Sequence, residues 1–276
     1  MTRLLISHSE ADSFGQCERK HSYAHIQKLQ PKKKSDGLSR GNAGHKLLEV
    51  WAKAKIAGAS NEEAELAGIA EASGMYMASE GMALALGWIR DEFPKLGWKL
   101  VSAENQYRLE LTPTLVYPFK FDLLVEVNKE LVLVDHKFLY DFYTQQMIDI
   151  FPQMPKYIFG LRQLGMPVQY AIYNMFRTRK VTDPTKKHMY GYTMKGLSES
   201  AKEFRMRDAM REQLLNMKAI EANKANPQYL PVRSANKMNC GNCGFADLCE
   251  FEARGESTKL MREAFYEHNE YGYEDD

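Results

Sequence analysis

Two aspartates, one lysine and a set of cysteines are the residues of this chain whose types and spacing could do chemistry. LVLVDHKFL reads as a strand, and strand alternation sends Asp135 and Lys137 to one face and His136 to the other. The run before it, YPFKFDLLVEV, carries Asp122. Whether Asp122 joins the pair depends on the turn between the runs. A two-residue turn at Asn128 and Lys129 sets Asp122 opposite Asp135, and a four-residue turn sets it opposite Lys137. A three-residue turn would misdirect it unless a bulge restored the parity. Directly opposed Cβ atoms lie about 4.5–5.5 Å apart, close enough for two carboxylates to share one divalent ion. Inside an apolar hairpin such a pair is costly unless paired or metal-bound, and Mg²⁺ or Mn²⁺ prefers oxygen ligands. An ion there can lower the pKa of a water and polarise a phosphate while Lys137 stabilises charge on the phosphoryl oxygens. Read alone, the same residues also fit a solvated hairpin edge with an ion pair.

Cys240, Cys243 and Cys249 sit in the glycine-containing stretch MNCGNCGFADLCEF, and Cys17 is the one remaining cysteine of the four in the chain. One centre would use them all. In a reducing compartment structural disulfides are not expected, and a thiolate-only site suits either tetrahedral zinc or an iron–sulfur cluster. Spacing leaves both open. Such a centre would staple residues 1–30 to residues 226–252, so removing the metal should loosen both regions.

The elements that must position these groups follow from periodicity. Residues 1–30 read as a short helix with Ser9 as N-cap, and GNAGHKLLEVWAKAK as a second helix with His45 near its start. A further helix runs from Asn61 to about Arg90. VSAENQYRLEL, YPFKFDLLVEV and LVLVDHKFL read as the strands of a meander. A helix starts near Pro152 and continues through Tyr157 and Leu161; VQYAIYNMFRTRK is another strand; a long helix covers Ser198 to about Ala225.

With 276 residues the chain is expected to form a single domain. Its 37 basic and 36 acidic residues exclude a wholesale polycation, yet a basic groove can still offset an acidic site. Lys32, Lys33, Lys34, Arg177, Arg179, Lys180, Lys186 and Lys187 are candidate contacts to a phosphate backbone, or simply solvated faces. No run of about 18 apolar residues and no long apolar N-terminal core occurs, so a soluble, cytoplasmic protein is expected. The GxxxxGK[ST] phosphate loop is absent, which excludes an ATP-driven helicase within this chain.

The order Cys17, His45, Asp122, Asp135-x-Lys137, Gln153-x-x-x-Tyr157, Cys240-x-x-Cys243-x5-Cys249 resembles the PD-(D/E)XK nuclease superfamily. Within it, the order is similar to the RecB-like branch, which holds iron–sulfur exonucleases of phages and CRISPR loci and the nuclease domains of bacterial helicase–nuclease complexes. The resemblance implies an α/β restriction-endonuclease-like fold: a mixed β-sheet flanked by helices, with the catalytic core at 98–195, a helical N-terminal insertion at 40–95 and the cysteine staple joining both ends. It makes Asp122 and Asp135 carboxylate ligands of Mg²⁺ or Mn²⁺, His45 and the His136 carbonyl further ligands, and Glu104 an additional acidic residue. Lys137 becomes the catalytic lysine, with Gln153 and Tyr157 supporting the site from one helix face. Asp135 stands where the family often has Glu, Phe121 replaces the proline of the name, and Pro155 inside the Gln153–Tyr157 segment would distort the first helical turn. The implied function is a DNA exonuclease on single-stranded ends, 5′→3′, with a 4Fe-4S cluster, serving recombination, repair or end processing in a bacterium or phage-infected host. Rival expectations are a subunit active only with a helicase or integrase partner, and an adaptor whose chemistry has lapsed. Oligomers are compatible with the branch, some of whose small members form rings.

Overall fold

A computed structural model describes residues 3–33, 35–178, 190–195 and 199–269, with side chains omitted at 190–195 and 199–202. Ten strands are formed: β1 (Leu4–Leu5), β2 (Leu29–Pro31), β3 (Lys99–Ala103), β4 (Gln106–Glu110), β5 (Leu115–Lys120), β6 (Leu123–Val127), β7 (Glu130–Leu139), β8 (Val168–Arg177), β9 (Tyr190–Lys195) and β10 (Tyr266–His268) among the described residues. The α-helices among them are α1 (His8–Gln16), α2 (Glu18–His21), α3 (Asp36–Ile56), α4 (Asn61–Ala72), α5 (Ala78–Gly87), α6 (Phe93–Leu96), α7 (Gln145–Ile150), α8 (Gln153–Gln163), α9 (Glu199–Lys224), α10 (Lys237–Gly241), α11 (Ala246–Ala253) and α12 (Lys259–Phe265). The chain divides into two compact units. One is built from Met1–Lys34, Arg108–Phe119 and Met210–Asp276, the other from Ser35–Tyr107 and Lys120–Ala209.

In the second unit a five-stranded mixed sheet runs in the order β3-β6-β7-β8-β9. β7 and β8 are parallel and the other neighbours antiparallel. The crossover between the parallel pair contains α7 and α8, as parallel pairing requires a long connection. The β6–β7 hairpin closes through two residues, with Val127 paired to Glu130 and left-handed φ of 51° at Asn128 and 70° at Lys129. That is the backbone of a type I′ turn, whose twist matches the strands it joins.

One face of this sheet is apolar. Leu123 and Val125 of β6, Val132 and Val134 of β7, and Ile172 and Phe176 of β8 share a core with Leu47 and Trp51 of α3, Leu84 of α5 and Trp88. The opposite face carries Asp135 and Lys137 toward α8, where Met154, Tyr157, Ile158 and Leu161 are buried. Pro155 falls in the first turn of α8, where backbone N–H groups have no helical partner anyway, so the helix forms from Gln153 undisturbed.

Several local expectations are corrected, and the single helix expected from Asn61 to about Arg90 is α4 and α5, separated by turns over 73–77. α3 begins at Asp36, capped by the Ser35 hydroxyl on the Leu38 N–H at 3.3 Å, so His45 stands mid-helix rather than near a helix start. Gly37, Gly41 and Gly44 hid the first turns. Gly44 is required there, because a Cβ would lie 2.1 Å from Cζ of Phe138 on β7. VSAENQYRLEL is not one strand: it breaks at Glu104, whose φ is +55°, and β3 and β4 join different sheets.

In the first unit β1, β5 and β4 form a small sheet, β1 parallel to β5, and β10 pairs antiparallel with β2. α1 is capped by Ser7, whose Oγ accepts the Glu10 N–H at 3.2 Å, and not by Ser9. Buried Gln213 and half-buried Asn216 of α9 donate to the carbonyls of Ser7 and Ala11 at 3.2 and 3.1 Å, fixing α1. Tyr23, Phe245, Leu248 and Tyr266 make a compact core. Among the described residues no helix is long and apolar enough to cross a membrane.

Candidate active site and cysteine pocket

The ladder of the second unit brings three carboxylates into one row. Ala103 pairs with Leu123 and Leu123 with Val134. One step further along, Glu104 and Asp122 stand just beyond the ends of β3 and β6, and Asp135 lies within β7. A bulge at Val101 sets that register on β3. The Glu104 N–H donates to the Asp122 carbonyl at 3.1 Å, and the His136 N–H donates to Asp122 Oδ2 at 2.6 Å. The two-residue turn therefore places Asp122 opposite Asp135.

Lys137 Nζ lies 2.6 Å from Asp135 Oδ2 and donates to Gln153 Oε1 at 3.1 Å, and the Gln153 amide donates in turn to the Tyr157 hydroxyl at 3.1 Å. Helical spacing of four residues makes that last contact possible. On the other side of the row His45 Nδ1 is 3.4 Å from Asp122 Oδ2, its ring 5.3 Å from Phe138 and 6.3 Å from His136. The small profile of Gly44 lets α3 approach that closely.

Burial, with Asp135 and Glu104 beside it, pushes the Asp122 carboxyl well above the usual carboxylate range. Burial also raises Asp135, against the opposing pull of Lys137. Burial draws Lys137 down, but Asp135 and Asp122 hold it above its ordinary value, so it stays an ammonium. His45 is pushed down to about 4 by burial and by Lys137 and Lys120, and is neutral. Neutral imidazole and carboxylate are the forms that ligate metals.

Some residues stood outside the motif reading. Lys120, at the end of β5, is ion-paired with Glu104. Its signal was available in FKFD, two positions before Asp122. Asn174 lies opposite His136 on β8 and pairs with the ring Nδ1 at 2.8 Å. An asparagine inside the apolar run VQYAIYNMF was the clue. Of the candidate backbone contacts, Arg177 is held against the Phe142 ring, 4.1 Å from its centroid, with Asp141 at 3.6 Å. Lys32 donates to the Glu263 carbonyl at 2.7 Å, and Lys33 is exposed. Lys34, Arg179, Lys180, Lys186 and Lys187 lie outside the described residues.

In the first unit all four cysteines line one cavity of about 360 Å³. Cys17 ends α1, Cys240 is on α10, Cys243 follows it and Cys249 is on α11. Lys20 and Arg233 line the same cavity, and Arg233 Nε lies 3.2 Å from Cys249 Sγ. Burial pushes the Cys243 thiol up, and Cys17 and Cys240 act in the same direction. The four cysteines are free thiols.

Among the described residues, no three His, Cys, Asp or Glu side chains stand at the spacing of a single ion's finished ligand shell. The carboxylate row nevertheless has the donor chemistry for a hard divalent cation. Its central member, Asp122, is buried between two like charges, a placement that a shared cation relieves.

A carboxylate row with an ammonium in contact, on a mixed sheet flanked by helices, is the arrangement that the motif order leads one to expect. The model of the PD-(D/E)XK nuclease superfamily matches residues 5–250, and the chain belongs to that superfamily. Its members typically use Mg²⁺ or Mn²⁺. Among solved structures, the chain is similar to a crystal structure described as a "Putative exonuclease" from Eubacterium rectale. The TM-score is 0.50 at 11% identity, covering 86% of this chain and 88% of the other. The structure of SSO0001 aligns at 13% identity over 75% of this chain and 84% of its own, with a TM-score of 0.35. No curated protein matches the sequence.

Proposed function

We propose that this chain is a divalent-metal-dependent deoxyribonuclease that degrades DNA from single-stranded ends, 5′→3′, in recombination, repair or end processing. The observation that carries the chemistry is Asp122 facing Asp135 across the hairpin with the Lys137 ammonium 2.6 Å from Asp135. Asp122, Asp135, the His136 carbonyl and His45 would hold Mg²⁺ or Mn²⁺. An ion held there would supply Lewis acidity, polarising the phosphodiester and lowering the pKa of a water so that the more nucleophilic hydroxide can form. Lys137 places positive charge against the phosphoryl oxygens, where charge grows in the transition state. Gln153 holds Lys137 in position, and Tyr157 holds Gln153. Strand preference and polarity rest on the resemblance to the iron–sulfur exonuclease branch.

The four thiols would hold a 4Fe-4S cluster. A tetrahedral zinc draws its sulfurs to about 2.3 Å from one point. Four thiols lining one cavity support a shared group, and the choice of a cluster over zinc rests on the resemblance to the iron–sulfur branch. Arg233 and Lys20 supply positive charge against thiolate sulfur.

The test is incubation of the purified protein with end-labelled single- and double-stranded DNA plus Mn²⁺, beside Lys137→Ala. Metal-dependent loss of label from single strands by the wild type alone supports the reading. Equal degradation by both proteins points to a contaminant and ends it.

A further inference from the structure

The carboxylate row has a lysine at each flank. Lys137 contacts Asp135 at one end, and Lys120 is ion-paired with Glu104 at the other. Glu104 is not free to turn away. Its N–H is committed to the Asp122 carbonyl, its φ of +55° fixes the backbone in the left-handed region, and its side chain is only 9% exposed. Lys120 is half exposed but is tied to the row from the next strand by that ion pair, two positions before Asp122. Asp122, in the middle, has no ammonium in contact: its Oδ2 meets only the His136 N–H and the neutral His45 ring among the contacts described.

We propose that Lys120 occupies the position beside Glu104 and Asp122 that a second cation would otherwise take, so that the site accepts a single divalent ion, between Asp122 and Asp135. This rests on the nuclease reading above. With every group ionised, three carboxylates and two ammonium groups leave one negative charge beside a neutral His45. One divalent ion turns that into a single positive charge facing the phosphodiester. A second ion would have to displace Lys120 or stand against it, and repulsion between like charges opposes both. Lys120 is thus a positioning residue for the metal, two positions before Asp122 on the chain and distinct from Lys137.

Counting bound Mn²⁺ by EPR titration of the full-length protein tests this without reference to turnover. Wild type is expected to bind one Mn²⁺ and Lys120→Met two, the second weaker than the first. Glu104→Gln in the Lys120→Met background should return the count to one, which separates a vacated cation position from general loosening of the fold. Two ions of comparable affinity in the wild type, or one ion in Lys120→Met, would overturn the assignment while leaving the nuclease reading in place. No Mn²⁺ bound by the wild type would remove both.

Discussion

Asp122 and Asp135 face each other at the open end of the β6–β7 hairpin and are neutralised differently. Asp135 has the Lys137 ammonium at 2.6 Å, whereas Asp122 accepts the His136 N–H at 2.6 Å and lies between two like charges. That asymmetry makes Asp122 the residue whose electrostatic strain a bound cation relieves most.

Asp122→Asn should therefore stabilise the metal-free protein by about 1 kcal/mol or more. Because its folded pKa is raised, Asp122 costs nothing below the unfolded value near 3.9 and costs progressively more as pH rises through the folded one. The gap in Tm between variant and wild type should vanish near pH 4 and widen toward pH 7. Mn²⁺ should raise the wild-type Tm and leave the variant's unchanged; a variant less stable than wild type at pH 7 would contradict this.

Lys137→Ala should lower the cleavage rate by about 10²–10³-fold with the fold intact by circular dichroism. Gln153→Ala, which removes the 3.1 Å acceptor that steadies Lys137, should cost about 10-fold, as loss of an orienting partner does. Combined, the two should cost no more than Lys137→Ala alone, because Gln153 acts through the lysine.

Gly44→Ala places a methyl 2.1 Å from Phe138 Cζ. The ring must move, at a cost of about 1–3 kcal/mol, and His45 moves with the helix. Stability to denaturant and Mn²⁺ affinity should both fall, while Gly37→Ala, with nothing within 4 Å of the new Cβ, should leave Mn²⁺ affinity unchanged and stability equal or slightly higher.

Cys17→Ser and Cys249→Ser should each abolish the visible absorption of the purified protein and lower its Tm by several degrees or more. Iron and acid-labile sulfide in the wild type, absent from both variants, is the expected analysis. Stoichiometric zinc without iron would replace the cluster with a zinc site, and a variant retaining wild-type Tm would remove the stapling role.

The hairpin was legible because its chemistry is local: strand parity and a two-residue turn suffice to place Asp122 against Asp135. Gln153 and Tyr157 came from the resemblance rather than from local chemistry; four-residue spacing says only that they share a helix face. Glu104 was only half legible. Its place on the row depends on a bulge at Val101 and a left-handed residue, both set by neighbouring strands. Lys120 was missed because a lysine near a strand end ordinarily points to solvent, and its partner lies on a different strand. The start of α3 was obscured by glycines whose use appears only when Phe138 is packed against them.

Cys17 precedes Cys240, Cys243 and Cys249 by most of the polypeptide, yet all four thiols open on one cavity. A group held by all four, as proposed above, would bind only once Cys249 has been made, so Cys17 would wait as a free thiol while most of the chain is synthesised. The yield of loaded protein would then follow the supply of that group at a late moment of synthesis.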